Sequence, residues 1–319
     1  MMVLARSAGF SPSLVRSTGE GRGGGLWQLI FAVTEIPRAL PHRPIQLTNR
    51  GPSQSNPLFT AGQIAILCGM NTQTSPSAIG LVGFDGDDTL WKSEDYYQKA
   101  EHEFGLILSN YIDLHDAGTA QHLLKVQRRN LAVFGYGAKG MTLSMLEAAI
   151  ELTNETISAH DLRQIVEIGR RTLEHPVDVI DGVRDAVAAI AAEFPVVLIT
   201  KGDLFHQEQK IERSGLLDLF PRIEIVSEKD PGTYAKVLAE FNMPAERFVM
   251  VGNSLRSDIE PVLGLGGWGI HTPYAMTWAH EAEHGVSADE PRLHHADTAH
   301  QWPEAVRAVA AQAAAAQGG

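Results

Sequence analysis

The sequence predicts an α/β fold, a doubly wound parallel sheet interrupted after its first strand by an inserted helical cap. Three observations carry that prediction. Four short apolar runs, "IGLVGF", "FPVVLIT", "RIEIVS" and "RFVMV", each lead into polar residues. Helical patterns separate the later runs, and between Trp91 and about Pro176 strand signals give way to helical periodicity altogether. Continuous β-branched runs suit strands buried on both faces of a parallel sheet. Strands alternating with helices indicate βαβ units, whose sites gather at the carboxyl ends of the strands. All four polar endings therefore fall on one rim.

Taken in order, the chain opens with 70 residues unlike the rest. They hold six arginines, no lysine and only Glu20 and Glu35 as acids, with "GEGRGGG" and "PRALPHRP" punctuating them. Turn-formers at that density sustain neither a helical nor a strand period. Residues 1–77 are expected to be a disordered or spurious extension, with Met70 as an alternative start. An Arg-rich targeting peptide is the other reading, weakened by the glycines and prolines that break any amphipathic helix.

The core is expected over residues 78–92 and 177–300. Its first strand ends in "DGDDTL", where Asp85, Asp87 and Asp88 crowd together. Like charges so close raise each other's pKa, so the cluster reads as an exposed turn or as a group that needs a cation. The cap, 93–176, shows Tyr97, Ala100, Phe104 and Leu108, then Leu143, Leu146 and Ile150, then Leu162, Ile165 and Val166 at helical spacing. Beyond it, "DGVRDAVAAIAAE" places Val183, Ala186, Val187 and Ile190 on one helical face. "TYAKVLAEF" repeats Tyr234, Val237, Leu238 and Phe241, and "SDIEPVLGL" stacks Ile259, Val262 and Leu263. "GWGIHTPY" reads as a further strand, His294 and His295 as loop, and 301–319 as an Ala-rich C-terminal helix or tail.

Composition narrows the function. The 319 residues are 44% apolar and 20% charged, enough to bury a core without disulfides, and Cys68 has no intrachain partner. That fits a reducing, cytoplasmic location. A net charge of −12 argues against a nucleic-acid partner. The longest apolar stretch, "LWQLIFAV", falls far short of the roughly 18 residues that suggest a membrane span.

With the other three endings in order, the aspartate motif resembles the haloacid dehalogenase (HAD) superfamily, specifically its phosphatases with a helical cap after the first motif. The resemblance covers about residues 79–280. It implies a Rossmann-like core and an aspartyl-phosphate mechanism. Asp85 matches the nucleophile and Asp87 the general acid/base. Thr200 in "LITKGD" matches the hydroxyl that binds the phosphoryl group, with Lys201 and Gly202 beside it, and Lys229 in "SEKDPGTY" matches the charge-steadying lysine. Asn253 and Asp258 in "VGNSLRSDIEP" match the acidic motif near Mg²⁺, which would also meet Asp85 and the backbone carbonyl of Asp87. Asn253 stands where an acid is usual, so Asp258 is expected to be the chief acidic ligand. Asp88 replaces a frequent glycine and is expected to cap the next turn. Lys201 is a rival phosphate contact, expected to be more exposed than Lys229.

The reading is an Mg²⁺-dependent phosphohydrolase acting on a small phosphorylated metabolite. A phosphotransferase or mutase using the same residues, a catalytically impaired binding module, and a dehalogenase are the alternatives; Asp87 favours phosphate over halide. Two other motifs are set aside. "GYGAKG" fits a dinucleotide fingerprint but lies in a helical region, so a cap loop with Tyr136 and Lys139 near substrate is preferred. "HEAEH", 280–284, fits a zinc pattern but shows no buried face and is read as a solvated polar segment.

Overall fold

A computed structural model describes residues 77–114, 118–276, 278, 281, 284–287 and 289–317. The expectations for the N-terminal extension and for His280 lie outside them. Six parallel strands form one sheet in the order β3-β2-β1-β4-β5-β6. They are β1 (Leu81–Phe84), β2 (Val196–Lys201), β3 (Ile223–Val226), β4 (Phe248–Gly252), β5 (Trp268–His271) and β6 (Leu293–His295). The central register pairs Val82 with Val196 on one side and with Val249 on the other. Four helices follow β1: α1 (Glu94–Leu108), α2 (Gly118–Phe134), α3 (Ala138–Leu152) and α4 (Ala159–Glu174). The remainder wrap the sheet: α5 (Val183–Ala191), α6 (Leu204–Ser214), α7 (Pro231–Glu240), α8 (Glu260–Gly264) and α9 (Trp302–Gln317).

The apolar runs become strands because each has a hydrophobic layer on both faces. Val82, Phe84, Leu198, Val249 and Val251 pack with α5 and α9 on one side. Leu81, Val197, Ile199, Phe248 and Met250 pack with α7 and α8 on the other. Alternate residues of one strand thus belong to different layers, as the two-residue period of a strand requires. The four helices after β1 bury a third, separate cluster around Phe104, Leu108, Val126, Met145 and Ile165.

Three sequence expectations are corrected. His294 and His295 are not loop residues; they pair in parallel with Ile270 and His271 as the edge strand β6. Three residues with two histidines carry no apolar run, and pairing with β5 is what makes them a strand. In α3 the buried face is Met141, Ser144, Met145, Ala148 and Ala149, whereas Leu143 and Ile150 are 42% and 38% exposed. Small residues let neighbouring helices approach, and that selects the face against the larger leucine pattern. For the same reason α4 buries Ile165 and Ile168 beside Gly169 and exposes Val166.

"LAVF" ends helix α2, and the Gly135 amide caps it by donating to the Leu131 carbonyl at 3.0 Å. Gly135 has φ +70°, the left-handed conformation that ends helices at low cost for glycine. "GYGAKG" is therefore a helix–helix turn, with no strand before it to complete a dinucleotide fingerprint.

The C-terminal helix is part of the core rather than a tail. Trp302 is fully buried, lies 5.7 Å from the ring of Phe84, and donates its indole N–H to Thr272 Oγ1 at 2.7 Å. Among the described residues no helix is long and apolar enough to cross a membrane. Trp302→Ala should destabilise the fold by about 3–5 kcal/mol, read as a lowered midpoint in urea unfolding at unchanged m-value.

Candidate active site

The carboxyl ends of β1, β2 and β4 and the loop after β3 meet the inserted helices around a cavity of about 180 Å³. Of the sequence-predicted residues, Asp85, Asp87, Tyr136, Thr200, Lys201, Gly202, Lys229, Asn253 and Asp258 all line it. Lys139 does not. It pairs with the cavity-lining Asp203, at 2.8 Å, and holds the start of α3 against the start of α6.

Asp85 follows β1 directly, and its amide continues the ladder by donating to the Val251 carbonyl at 2.9 Å. Its buried carboxylate accepts from Lys229 Nζ, and its other oxygen lies 3.2 Å from the Thr89 hydroxyl. Lys229 Nζ also reaches Asp258 Oδ1 at 2.6 Å. One ammonium thus sits between two carboxylates, all three buried. Burial, then the neighbouring Asp258, push the Asp85 carboxyl up to about 7 against the pull of Lys229. Burial alone would lower the Lys229 ammonium, but Asp258 and Asp85 outweigh it and hold the group protonated.

Backbone geometry places these groups. Asp258 lies on a π-helical turn, Leu255–Ile259, and accepts from the Ser254 amide at 3.0 Å. A Cβ on Gly252 would stand 2.3 Å from Asp258 Oδ2, so only glycine lets β4 end against that carboxylate. Asn253 directs Oδ1 to the Thr89 hydroxyl at 3.2 Å, the same hydroxyl that serves Asp85. Asp88 has φ +61° and accepts from the backbone amides of Ser93 and Glu94 at 2.8 and 3.0 Å. It therefore caps α1, and its conformation explains why glycine is a workable alternative there.

Asp87 is held by residues the sequence reading missed. Lys210 Nζ lies 2.5 and 2.8 Å from its two oxygens, Trp91 Nε1 donates at 2.6 Å, and Gln207 Nε2 at 3.2 Å. Burial would raise this carboxyl, but Lys210 and Trp91 hold it below the usual range. Gln207 also donates to Thr200 Oγ1 at 2.6 Å, which ties the acid/base candidate to the hydroxyl candidate. The signal was present in "LFHQEQKIERS": His206, Gln207 and Lys210 share the face of α6 that turns inward, where apolar residues would be usual. Beside them, burial and then Lys210 push the His206 imidazole down to about 4.

Lys201 is not an exposed rival. Its side chain is 16% exposed and pairs with Glu281 at 2.5 Å and Ser257 Oγ at 2.8 Å. It also lies 4.3 Å from the centre of the Tyr136 ring. Glu281, from "HEAEH", is correspondingly not a solvated residue: it accepts from Lys201, Ser254 and Ser257. Tyr136 donates to Glu228 at 2.7 Å, linking the α2–α3 turn to the loop after β3.

Among the described residues no three His, Cys, Asp or Glu side chains form a ready metal cluster. Among the residues lining the cavity, Asp85, Asp258 and Asn253 carry hard side-chain oxygen donors. Such a set suits Mg²⁺ rather than zinc. One lysine paired with both Asp85 and Asp258 leaves one carboxylate in excess.

A family model of haloacid dehalogenase-like hydrolases matches residues 79–265. A haloacid dehalogenase-like family hydrolase from Xanthomonas campestris is 68% identical, with a TM-score of 0.69, over 75% of this chain and 99% of that one. A 2-haloacid dehalogenase from Pseudomonas syringae pv. Tomato is 20% identical, with a TM-score of 0.50, over 72% of this chain and 99% of that one. A HAD-hydrolase from Bacillus subtilis bound to magnesium is 16% identical, with a TM-score of 0.50, over 72% and 98%. These last two likenesses speak to the fold alone. No curated protein matches the chain. The chain belongs to the haloacid dehalogenase-like hydrolases.

Lys210→Met should strand Asp87 as a partly buried, unpaired carboxylate and destabilise the fold by about 3 kcal/mol. Adding Asp87→Asn should recover part of that loss, and a double-mutant cycle in urea measures the coupling.

Proposed function

We propose that the chain is an Mg²⁺-dependent phosphohydrolase that cleaves a small phosphate monoester through an aspartyl-phosphate on Asp85. The observation that carries this reading is the convergence of Asp85, Asp87, Thr200 and Lys229 on one cavity. In the first half-reaction an Asp85 oxygen bonds to phosphorus while the ester P–O bond breaks. The departing alkoxide takes a proton from Asp87 in its acid form. In the second, water attacks the same phosphorus, Asp87 accepts the water proton, and the acyl-phosphate bond breaks to return Asp85 and release inorganic phosphate. Splitting hydrolysis in this way replaces one difficult step by two easier ones.

The remaining groups govern charge and position. Lys229 and the Thr200 hydroxyl are placed to meet the phosphoryl oxygens, which a carboxylate would otherwise repel. Asp85, Asp258, the Asn253 amide oxygen and the Asp87 carbonyl would hold Mg²⁺, which supplies Lewis-acid neutralisation of nucleophile and phosphoryl group. Lys210 favours the ionised form of Asp87, which accepts a proton from water in the second half-reaction, while the first half-reaction draws on its minor protonated form. A halide leaves as an anion and needs no proton carrier, so the presence of the Asp87 carboxyl beside Asp85 in the cavity favours a leaving alkoxide over a leaving halide.

The test is release of phosphate from p-nitrophenyl phosphate and a phosphometabolite panel. Activity should disappear with EDTA and return with Mg²⁺. Asp85→Asn should lower it by about 10³-fold or more, and retained activity would remove the nucleophile. Asp87→Asn should slow the second half more than the first when the leaving group is p-nitrophenolate, which needs little protonation. Phosphoenzyme should then accumulate and be visible by intact mass.

A further inference from the structure

The part of the cavity formed by α1, α2 and α3 contacts whatever leaves with the ester oxygen, and its chemistry is one-sided. Glu94 and Glu101 line it, and among the described residues no arginine does. The lysines lining the cavity are Lys201 and Lys229, and both are already paired with carboxylates on the sheet side. The amide nitrogens of the helical wall are also engaged. Gln127 Nε2 donates to Glu101 at 2.9 Å, and Asn130 Nδ2 donates to Ser144 at 3.2 Å and to Glu147 at 2.6 Å. Ser144 itself donates to the Gly140 carbonyl at 2.8 Å. What this wall offers a ligand is the Glu94 and Glu101 carboxyls, side-chain carbonyl oxygens and the Tyr97 hydroxyl, with no cation among the described residues.

Resting on the phosphohydrolase reading, we infer that the leaving group is a hydrogen-bond donor without a second anionic group: a polyol or an amino alcohol. A buried anion needs a cation or several N–H donors to replace its water, and this wall supplies neither. Hydroxyl or ammonium protons, in contrast, would find acceptors on Glu94, Glu101 and the side-chain carbonyls of Gln127 and Asn130. Burial, then Asp88 and Glu101, already push Glu94 up to about 8, so this wall resists even the charge of its own carboxyl and would resist a ligand carboxylate likewise.

Steady-state kinetics with Mg²⁺ on four esters tests this: glycerol 1-phosphate, phosphoethanolamine, phosphoglycolate and p-nitrophenyl phosphate. The better of the two donor esters should exceed phosphoglycolate in kcat/KM by about 100-fold, and which of them leads tells hydroxyl from amine. Glu101→Gln should shrink that ratio about tenfold, chiefly through KM, and Glu101→Lys should shift it further toward phosphoglycolate. A ratio does not depend on the folded fraction; Glu94→Gln provides the same readout if Glu101 variants do not fold. If neither donor ester exceeds phosphoglycolate while p-nitrophenyl phosphate is hydrolysed, the inference falls and the phosphatase stands. If no ester is hydrolysed, both fall.

Discussion

One lysine holds the site together. Lys229 lies between Asp85 and Asp258, and each of the three charges would be prohibitively costly in the sheet rim without the others. Its position depends on β1 and β4 being neighbours, which puts the residue after Phe84 beside the turn after Gly252. It depends equally on the loop after β3 reaching back across β2. A single ammonium between two carboxylates leaves a surplus of negative charge, and that surplus gives a divalent cation a reason to bind.

A second polar system lies beside the first and is centred on Asp87. Lys210 and Trp91 fix Asp87, while Gln207 spans Asp87 and Thr200. Two carboxylates two residues apart thus sit in opposite environments. Asp85 is raised by burial and Asp258, whereas Asp87 is lowered by Lys210. Environments that drive paired titratable groups apart are how one site separates a nucleophile from a proton carrier. The inserted helices are tied to the core beside both systems through Tyr136 with Glu228 and Lys139 with Asp203.

Much of this was legible in the residue order. Strands β1, β2 and β4 were visible because burial on two faces demands unbroken apolar runs, the half-buried edge strand β3 showed through its isoleucines despite Glu224, and the polar endings marked the rim. Less was legible where a residue's state depends on partners distant in sequence. β6 has no hydrophobic signature and exists because β5 has an open edge. Lys201 looked like an exposed lysine until Glu281, 80 residues later, enclosed it. Lys139 is near Tyr136 in sequence, yet it does not line the cavity and pairs with Asp203, the residue before α6. In α3, helical spacing named Leu143 and Ile150, whereas close helix packing selected the alanines.

By itself, then, the sequence determined the parallel α/β architecture, the helical insertion after β1 and the identity of the residues at the strand ends. Local hydrophobic period and residue chemistry suffice for those. Tertiary structure alone decided which lysine each carboxylate receives, that α6 supplies Lys210 and Gln207 to Asp87, and that Glu94 and Glu101 line the wall over the cavity. Electrostatic partners are chosen by proximity in a low-dielectric interior, and proximity between residues far apart in the chain exists only once the sheet has assembled.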